Sequence, residues 1–132
     1  DKTLFSFEVL PPLKGKGIDS LYRSVDRLMD FDPAFIDVTY HREEFIMKQR
    51  NDGNYEKVFL RKRPGTVAIC AALMNKYKVD AVPHLICGGF TRDETENALI
   101  DLNFLGIDNV LALRGDNQKG ERNFEPEAKG NA

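Results

Sequence analysis

The sequence has few of the residues and apolar runs that are typical of disulfide-rich proteins, metal centres and membrane-spanning segments. It contains no tryptophan, two cysteines and two histidines among 132 residues. Cys70 and Cys87 lie in apolar surroundings without metal-ligand spacing, which favours reduced core thiols and no metal site. No apolar run approaches the roughly 18 residues that a membrane helix needs. The N-terminus also lacks a signal-peptide pattern, so we expect a cytoplasmic protein with no membrane partner.

A strong net charge is absent as well. Nineteen basic and 21 acidic residues leave a net charge of -2, which argues against nucleic acid as a partner. Arg61-Lys62-Arg63 is therefore interpreted as a solvated face, and His41 with Glu43 and Glu44 as a polar loop cluster.

The first apolar stretch carries an unexpected carboxylate. Leu4 to Leu10 predicts a strand buried on both faces, and Pro11-Pro12 must end it because proline cannot donate to a sheet ladder. Glu8 lies near the C-terminal end of that strand, where parallel α/β folds place their catalytic and binding residues. Burial would favour its protonated form. The alternative is a structural carboxylate satisfied by a buried arginine or by backbone amides.

The rest of the chain alternates between strand and helix patterns. Helical periodicity from Ile18 to Met29 predicts a first helix, with Asp19 or Ser20 able to cap its start, and a second helix is predicted within 66–77. Thr91 with Glu94 predicts a capping box for a third helix that Gly106 closes. Further strands are predicted from about 35, 81 and 109. The segment 41–64 is expected to be polar and irregular, and no hairpin signal joins any of the four predicted strands.

This alternation predicts right-handed crossovers and a parallel sheet. A doubly wound sheet and part of a (β/α)8 barrel both fit, but the dinucleotide-binding glycine pattern is absent after the first strand. Every strand also ends on a polar group, as a barrel site requires, and a barrel needs roughly 250 residues. We therefore predict an α/β fold, the N-terminal half of a TIM barrel, over 1–116, followed by a polar loop or disordered tail over 117–132. The four strand ends carry Glu8, Thr39, His84, and Arg114 with Asp116.

Four short motifs resemble those of the methylenetetrahydrofolate reductases. Phe7-Glu8-Val9-Leu10-Pro11-Pro12 is similar to the family's FEFFPP signature, and Val38-Thr39-Tyr40 to its VTY. Pro83-His84-Leu85 and Leu113-Arg114-Gly115-Asp116 match its PHL and LRGD, in the same order. The resemblance implies a flavoprotein that binds FAD, takes electrons from NADH or NADPH, and reduces 5,10-methylenetetrahydrofolate to 5-methyltetrahydrofolate for methionine synthesis.

The resemblance also implies roles for single residues. Glu8 corresponds to the general acid that protonates the folate, and Asp116 to an aspartate near both flavin and folate. Thr39 corresponds to a residue at the flavin edge. The expected FAD contacts are Tyr40, His84, Arg114 and Gly115.

Two departures from the family pattern bear on these expectations. His41-Arg42-Glu43-Glu44 follows the second strand, where the family has a glycine-rich turn. Half a barrel would also leave open sheet edges, so we expect self-association or pairing with the missing half. A non-catalytic βα module that binds a ligand or partner is the alternative, and a flavin-free pterin-binding barrel is less compatible with the motifs.

Overall fold

The computed structural model describes residues 2–116 and 129–130. Within these residues, strands and helices follow one another along the chain, with one pair of strands inserted after the second strand. In chain order the elements are β1 (Ser6–Val9), α1 (Ile18–Met29), β2 (Phe35–Val38), β3 (Glu44–Gln49), β4 (Tyr55–Leu60), α2 (Thr66–Tyr77), β5 (Asp80–Ile86), α3 (Arg92–Phe104) and β6 (Leu111–Leu113).

Four of the strands form one parallel sheet in the order β1-β2-β5-β6. The predicted α/β fold with parallel strands is therefore confirmed, in the arrangement of the N-terminal part of a TIM-barrel fold. The β-strands are shorter than the apolar runs suggested. Thr39 and Tyr40, for example, lie just beyond the end of β2.

The hydrophobic core lies between the sheet and the helices. Ile36 and Val38 of β2 are fully buried, as are Val25 of α1 and Leu73 of α2. Because side chains alternate along a strand, every second residue of the sheet faces these helices. The remaining strand residues point to the opposite face, which no helix of the described residues covers.

Helices α1 and α2 are joined at their surface by a small polar group. The Tyr77 hydroxyl donates to Asp26 at 2.7 Å, and the Lys76 ammonium lies 2.9 Å from the same carboxylate. The hydrogen bond from Tyr77, followed by that from Lys76, lowers the pKa of Asp26. The Tyr22 and Tyr77 rings meet edge to face at 5.8 Å, so the contact fixes the two helices side by side.

Helix α3 begins and ends as predicted. The Thr91 side chain accepts from the Glu94 amide, and the Glu94 carboxylate accepts from the Thr91 amide, which completes the capping box. Gly106 follows the helix with a φ of 74°, a left-handed conformation that glycine adopts without strain. A bridge from Thr91 to Gly130 brings 129–130 beside the helix start. The other residues of the predicted tail, 117–128 and 131–132, lie outside the described part.

The prediction of an irregular segment over 41–64 is wrong. Strands β3 and β4 form an antiparallel hairpin, with Phe45 opposite Phe59. Its turn contains Asp52-Gly53, where Gly53 has a φ of 84° and Asp52 accepts from the Asn54 amide at 3.0 Å. Aspartate followed by glycine is a strong hairpin signal, and the polar residues on both sides obscured it.

Within the described residues, every helix is too short or too polar to span a bilayer.

The two cysteines differ in their surroundings. Cys70 is fully buried among the core residues of α2, and Cys87 is half-buried in the 3-10 turn (Cys87–Gly89) that follows β5. Burial raises the pKa of the Cys70 thiol to about 12, so this thiol stays protonated at neutral pH.

We therefore expect Cys70 to resist alkylation in the folded protein. In a Cys87→Ser variant, iodoacetamide at pH 8 should leave Cys70 unmodified until denaturant is added, as measured by mass spectrometry. A Cys70→Ser variant serves as the control and should retain a reactive Cys87. Rapid modification of Cys70 without denaturant would contradict its placement in the core.

Candidate active site at the strand ends

Three ionisable side chains meet on the sheet face that lies opposite the helices. Glu8 of β1 and Asp37 of β2 are direct neighbours in the parallel register. His84 of β5 lies diagonally across from Asp37, because Asp37 pairs with Val82. Parallel strands with this register bring their C-terminal ends to one edge, so the three side chains share a single site.

His84 lies between the two carboxylates. Its Nε2 is 3.9 Å from Glu8 Oε2 and 3.8 Å from Asp37 Oδ1. The histidine side chain is only 6% exposed, and this Nε2 is buried with no hydrogen-bond partner. A buried nitrogen without a partner costs free energy, so a small movement of either carboxylate toward it is favoured.

The two carboxylates have different surroundings. The Asp37 side chain is 17% exposed, and its Oδ2 accepts a hydrogen bond from the Ser6 hydroxyl at 2.9 Å. The Glu8 side chain is 58% exposed, so the prediction that Glu8 is buried is wrong for the described residues. The alternation of strand residues explains this, because Val9 takes the buried position facing the helices and Glu8 must face outward.

The residues after β2 continue the site. The Thr39 amide donates to the Val9 carbonyl at 3.1 Å, and its Oγ1 lies 3.3 Å from His41 Nε2. The Tyr40 ring packs edge to face on Phe90 at 4.9 Å. Burial, and then the charge of Glu43, raise the pKa of the Tyr40 hydroxyl. Tyr40 is therefore a neutral packing residue at neutral pH.

The loop after β6 holds the predicted LRGD residues. The Arg114 carbonyl accepts from the Gly88 amide at 3.0 Å, which ties this loop to the turn after β5. Gly115 has a φ of 87°, and a Cβ there would lie 2.2 Å from Ile86 Cγ2. The position therefore requires glycine for both conformation and space. Arg114 and Asp116 are exposed.

The hairpin and its flanks bring basic side chains to the same edge. The Arg63 guanidinium donates to the Pro11 carbonyl after β1, and the Arg42 guanidinium donates to the Gly88 carbonyl after β5. The Lys14 amide donates to the Lys62 carbonyl at 2.7 Å. Arg63, from the run interpreted as a solvated face, thus lies against the loop that follows β1.

The pKa of His41 is affected by a positive and a negative neighbour. Burial lowers the pKa of His41, the positive charge of Arg63 lowers it further, and Glu8 acts in the opposite direction. His41 is therefore neutral at neutral pH, with Arg63 and Glu8 both within electrostatic range of its ring.

Asp37 is the functional candidate that sequence reasoning missed. It stands between Ile36 and Val38 in an apolar strand, as Glu8 stands between Phe7 and Val9. The reasoning that selected Glu8 applies equally to this position, so the signal was present. Among residues 2–116 and 129–130, no group of three or more His, Cys, Asp or Glu side chains suits a metal ion.

A separate groove shares only Glu8 with this constellation. It has a volume of about 370 Å³ and runs between β1 and α1, with mainly apolar walls such as Val9, Leu21 and Leu28. It follows the open edge of the sheet. The ionisable groups of Asp37 and His84 do not line it.

Comparison with known proteins identifies the family. The family model for methylenetetrahydrofolate reductase matches residues 1–132. The chain belongs to the methylenetetrahydrofolate reductase family. The recognition made from the four motifs is therefore confirmed.

Several curated relatives carry the family name. The chain is 31% identical over 123 residues to methylenetetrahydrofolate reductase (NADH) 1 of Arabidopsis thaliana. The aligned region covers 93% of this chain and 18% of the relative. It is 32% identical over 111 residues to 5,10-methylenetetrahydrofolate reductase of Salmonella typhimurium. That alignment covers 84% of this chain and 32% of the relative. A probable methylenetetrahydrofolate reductase (NADPH) of Caenorhabditis elegans is 28% identical, with 85% and 15% covered. The chain thus spans a third or less of the length of these relatives.

We expect the pKa of His41 to respond to its two charged neighbours in opposite directions. Arg63→Gln should raise this pKa toward the ordinary histidine value, because a nearby positive charge is removed. Glu8→Gln should lower it further, because a nearby negative charge is removed. Titration of the His41 ring signals by NMR measures both shifts. Lys48→Gln, at an exposed position of β3, should leave the value unchanged; equal values in all variants would contradict the arrangement.

Proposed function

We propose that the complete protein is a methylenetetrahydrofolate reductase, which reduces 5,10-methylenetetrahydrofolate to 5-methyltetrahydrofolate in the cytoplasm and so feeds methionine synthesis. NADH or NADPH is the electron donor and FAD is the cofactor. Membership of the family supports the reaction, and relatives named for each nicotinamide leave both donors as candidates.

The placement of Glu8 is the observation that carries the proposal. Its exposed carboxyl stands at the C-terminal end of β1, 3.9 Å from the buried Nε2 of His84. An acid that protonates a bound folate must reach the substrate, and the open face of the sheet gives Glu8 that access. A substrate covering this face would exclude water from the carboxyl and favour its neutral form.

His84 and Asp37 orient this acid. The resemblance assigns His84 to the cofactor, but its Nε2 is enclosed and faces the two carboxylates. An N–H at that position can donate to either carboxylate, and Asp37 is itself held by Ser6. We therefore assign His84 the role of a positioning residue for Glu8.

The residues around the strand ends fit a flavin. When bound, FAD supplies the relay that carries hydride from the nicotinamide to the folate. Leu111 and Leu113 of β6 are exposed, and the register places them on the face of His84, where a flat ring finds an apolar surface. Arg114 suits the phosphates of the cofactor. Thr39 and Tyr40 stand at the end of β2, and Gly115 lets the chain turn between Arg114 and Asp116.

Asp116 is the second candidate catalytic residue. It is exposed after β6, in the loop that the hydrogen bond between Gly88 and Arg114 fixes to the site. Its charge there would stabilise a cationic folate and tune the flavin, and it would contact the substrate.

Pairing of this chain with further barrel strands is part of the proposal. Strands β1 and β6 stand at the two edges of the sheet, and the face that carries Glu8 is not covered by the described helices. Open parallel edges with exposed leucines favour association with another strand, either of the same protein or of a second copy. A complete barrel would bury them.

We expect Glu8→Gln to separate the two half-reactions of the complete enzyme. Reduction of the flavin by NADH or NADPH should keep its rate, because it needs no proton from Glu8. Reduction of the folate should slow by about 10²- to 10⁴-fold, the range that a lost general acid produces. Stopped-flow absorbance of the flavin follows each half-reaction separately.

The matched control is Glu96→Gln, which removes an exposed carboxylate from α3, a helix on the other face of the sheet from Glu8. Both half-reactions should keep their rates in this variant. Equal rates of folate reduction in Glu8→Gln and the unchanged enzyme would overturn the role of Glu8. An absence of bound flavin in the complete enzyme, even after addition of FAD, would overturn the proposed function.

A further inference from the structure

A small basic cavity lies at the mouth of the candidate active site and is not explained by any role described above. Its volume is about 250 Å³. This "anion pocket" is lined by Leu13, His41, Arg42, Glu44, Lys62 and Arg63.

The anion pocket is positively charged within a chain of net charge -2. Arg42, Lys62 and Arg63 contribute three positive charges and Glu44 one negative charge. His41 adds none at neutral pH, because burial and Arg63 lower its pKa. Positive charge concentrated in a cavity raises the local concentration of anions.

Each guanidinium group of the pocket donates to a backbone carbonyl. Arg63 donates to the Pro11 carbonyl and Arg42 donates to the Gly88 carbonyl. A carbonyl fixes the position of a guanidinium without cancelling its charge, and a guanidinium has five N–H donors. Arg63 is therefore a preorganised cation in the pocket, and such a donor binds carboxylate and phosphate oxygens well.

Lys62 is the residue of the pocket that can exchange its partner for an incoming anion. Its ammonium lies 2.5 Å from Glu44 Oε2, and the two side chains are 51% and 65% exposed. An exposed pair of this kind contributes little to stability, so an incoming anion can replace Glu44 as the partner of Lys62.

The anion pocket adjoins the candidate active site. His41 Nε2, in its wall, lies 3.3 Å from Thr39 Oγ1, and Glu8 is close enough to influence the His41 pKa. The volume is smaller than the roughly 300–1,000 Å³ of sites that enclose whole ligands. It therefore suits one charged end of a ligand whose remainder lies over Glu8 and Thr39.

We propose that the anion pocket is a subsite for a carboxylate or phosphate group of a ligand bound at the strand ends. The inference rests on the proposed function for the ligand's identity, since the folate carries glutamate carboxylates and the nicotinamide dinucleotide carries phosphates. The hairpin supplies Glu44 at its start, and Lys62 and Arg63 follow its end. The β3–β4 hairpin and its flanking residues thereby form part of the substrate-binding site.

Binding of inorganic phosphate to the complete protein, followed by isothermal titration calorimetry at low ionic strength, tests the subsite. Lys62→Gln should weaken binding by about fivefold, which is the upper range for one exposed charge. Glu44→Gln should strengthen it by a similar factor, because Lys62 loses its competing partner. Lys48→Gln removes the same charge from β3, about 13 Å from Glu44 along the strand, and should change nothing. Absence of phosphate binding, or equal affinity in Lys62→Gln and Lys48→Gln, would overturn the proposal.

Steady-state kinetics of the same variants distinguish the two sources of the anion. If the folate supplies it, Lys62→Gln should raise the KM of the folate, and more so for substrates with several glutamates. If the dinucleotide supplies it, only the KM of NADH or NADPH should rise. Unchanged KM values for every substrate in an active enzyme would overturn the subsite alone. A protein that binds phosphate through Lys62 without reducing folate would support the subsite and overturn the proposed function.

Discussion

The hydrogen-bonded register of β1, β2 and β5 is the constraint on which the site depends. It makes Glu8 and Asp37 neighbours and places His84 diagonally across from them, with its Nε2 within 4 Å of both carboxylates. A slip of one residue in any of these strands would turn the site residue of that strand toward the helices. The buried residues of the same strands, such as Ile36 and Val38, oppose that slip because it would expose them. The hydrophobic core thus fixes the polar site on its opposite face.

Charged side chains beside the loops after β1 and β5 are the second feature on which the site depends. The hairpin formed by β3 and β4 interrupts the alternation of strands and helices, and its flanking residues return to the loops after β1 and β5. Arg63 and Arg42 are held there by carbonyl groups, and Lys62 is held by Glu44. An acid on the sheet and cations at its rim are complementary features for an anionic substrate. The parallel sheet supplies the first and the inserted hairpin supplies the second.

The elements with strong local signals were predictable from the sequence. Helix α2 has the predicted bounds, and Thr91 and Gly106 cap α3 as expected. Helix α1 ends as predicted but begins at Ile18 after Gly17, so the prediction that Asp19 or Ser20 caps its start is wrong. The hairpin was missed because exposed strands carry polar residues at most positions, which hides the period of two. The exposure of Glu8 was missed for another reason. An apolar run does not show which of its alternate residues face the helices.

The site was predictable in part. Motif resemblance selected Glu8 and His84 together, and the structure places them 3.9 Å apart. Asp37 escaped notice because no motif contains it, and its importance depends on contacts between strands that are distant in sequence. The roles assigned to Thr39, Tyr40, Arg114, Gly115 and Asp116 stay predictions.

His84 is proposed to act through Glu8, and a double-mutant cycle on folate reduction tests this coupling. Glu8→Gln, His84→Gln and the double variant would be compared by single-turnover rates in the complete enzyme, with circular dichroism confirming that each variant folds. The double variant should be about as slow as Glu8→Gln alone, since residues acting as a unit are not additive. Losses that multiply, so that His84→Gln slows the enzyme equally with and without Glu8, would contradict it.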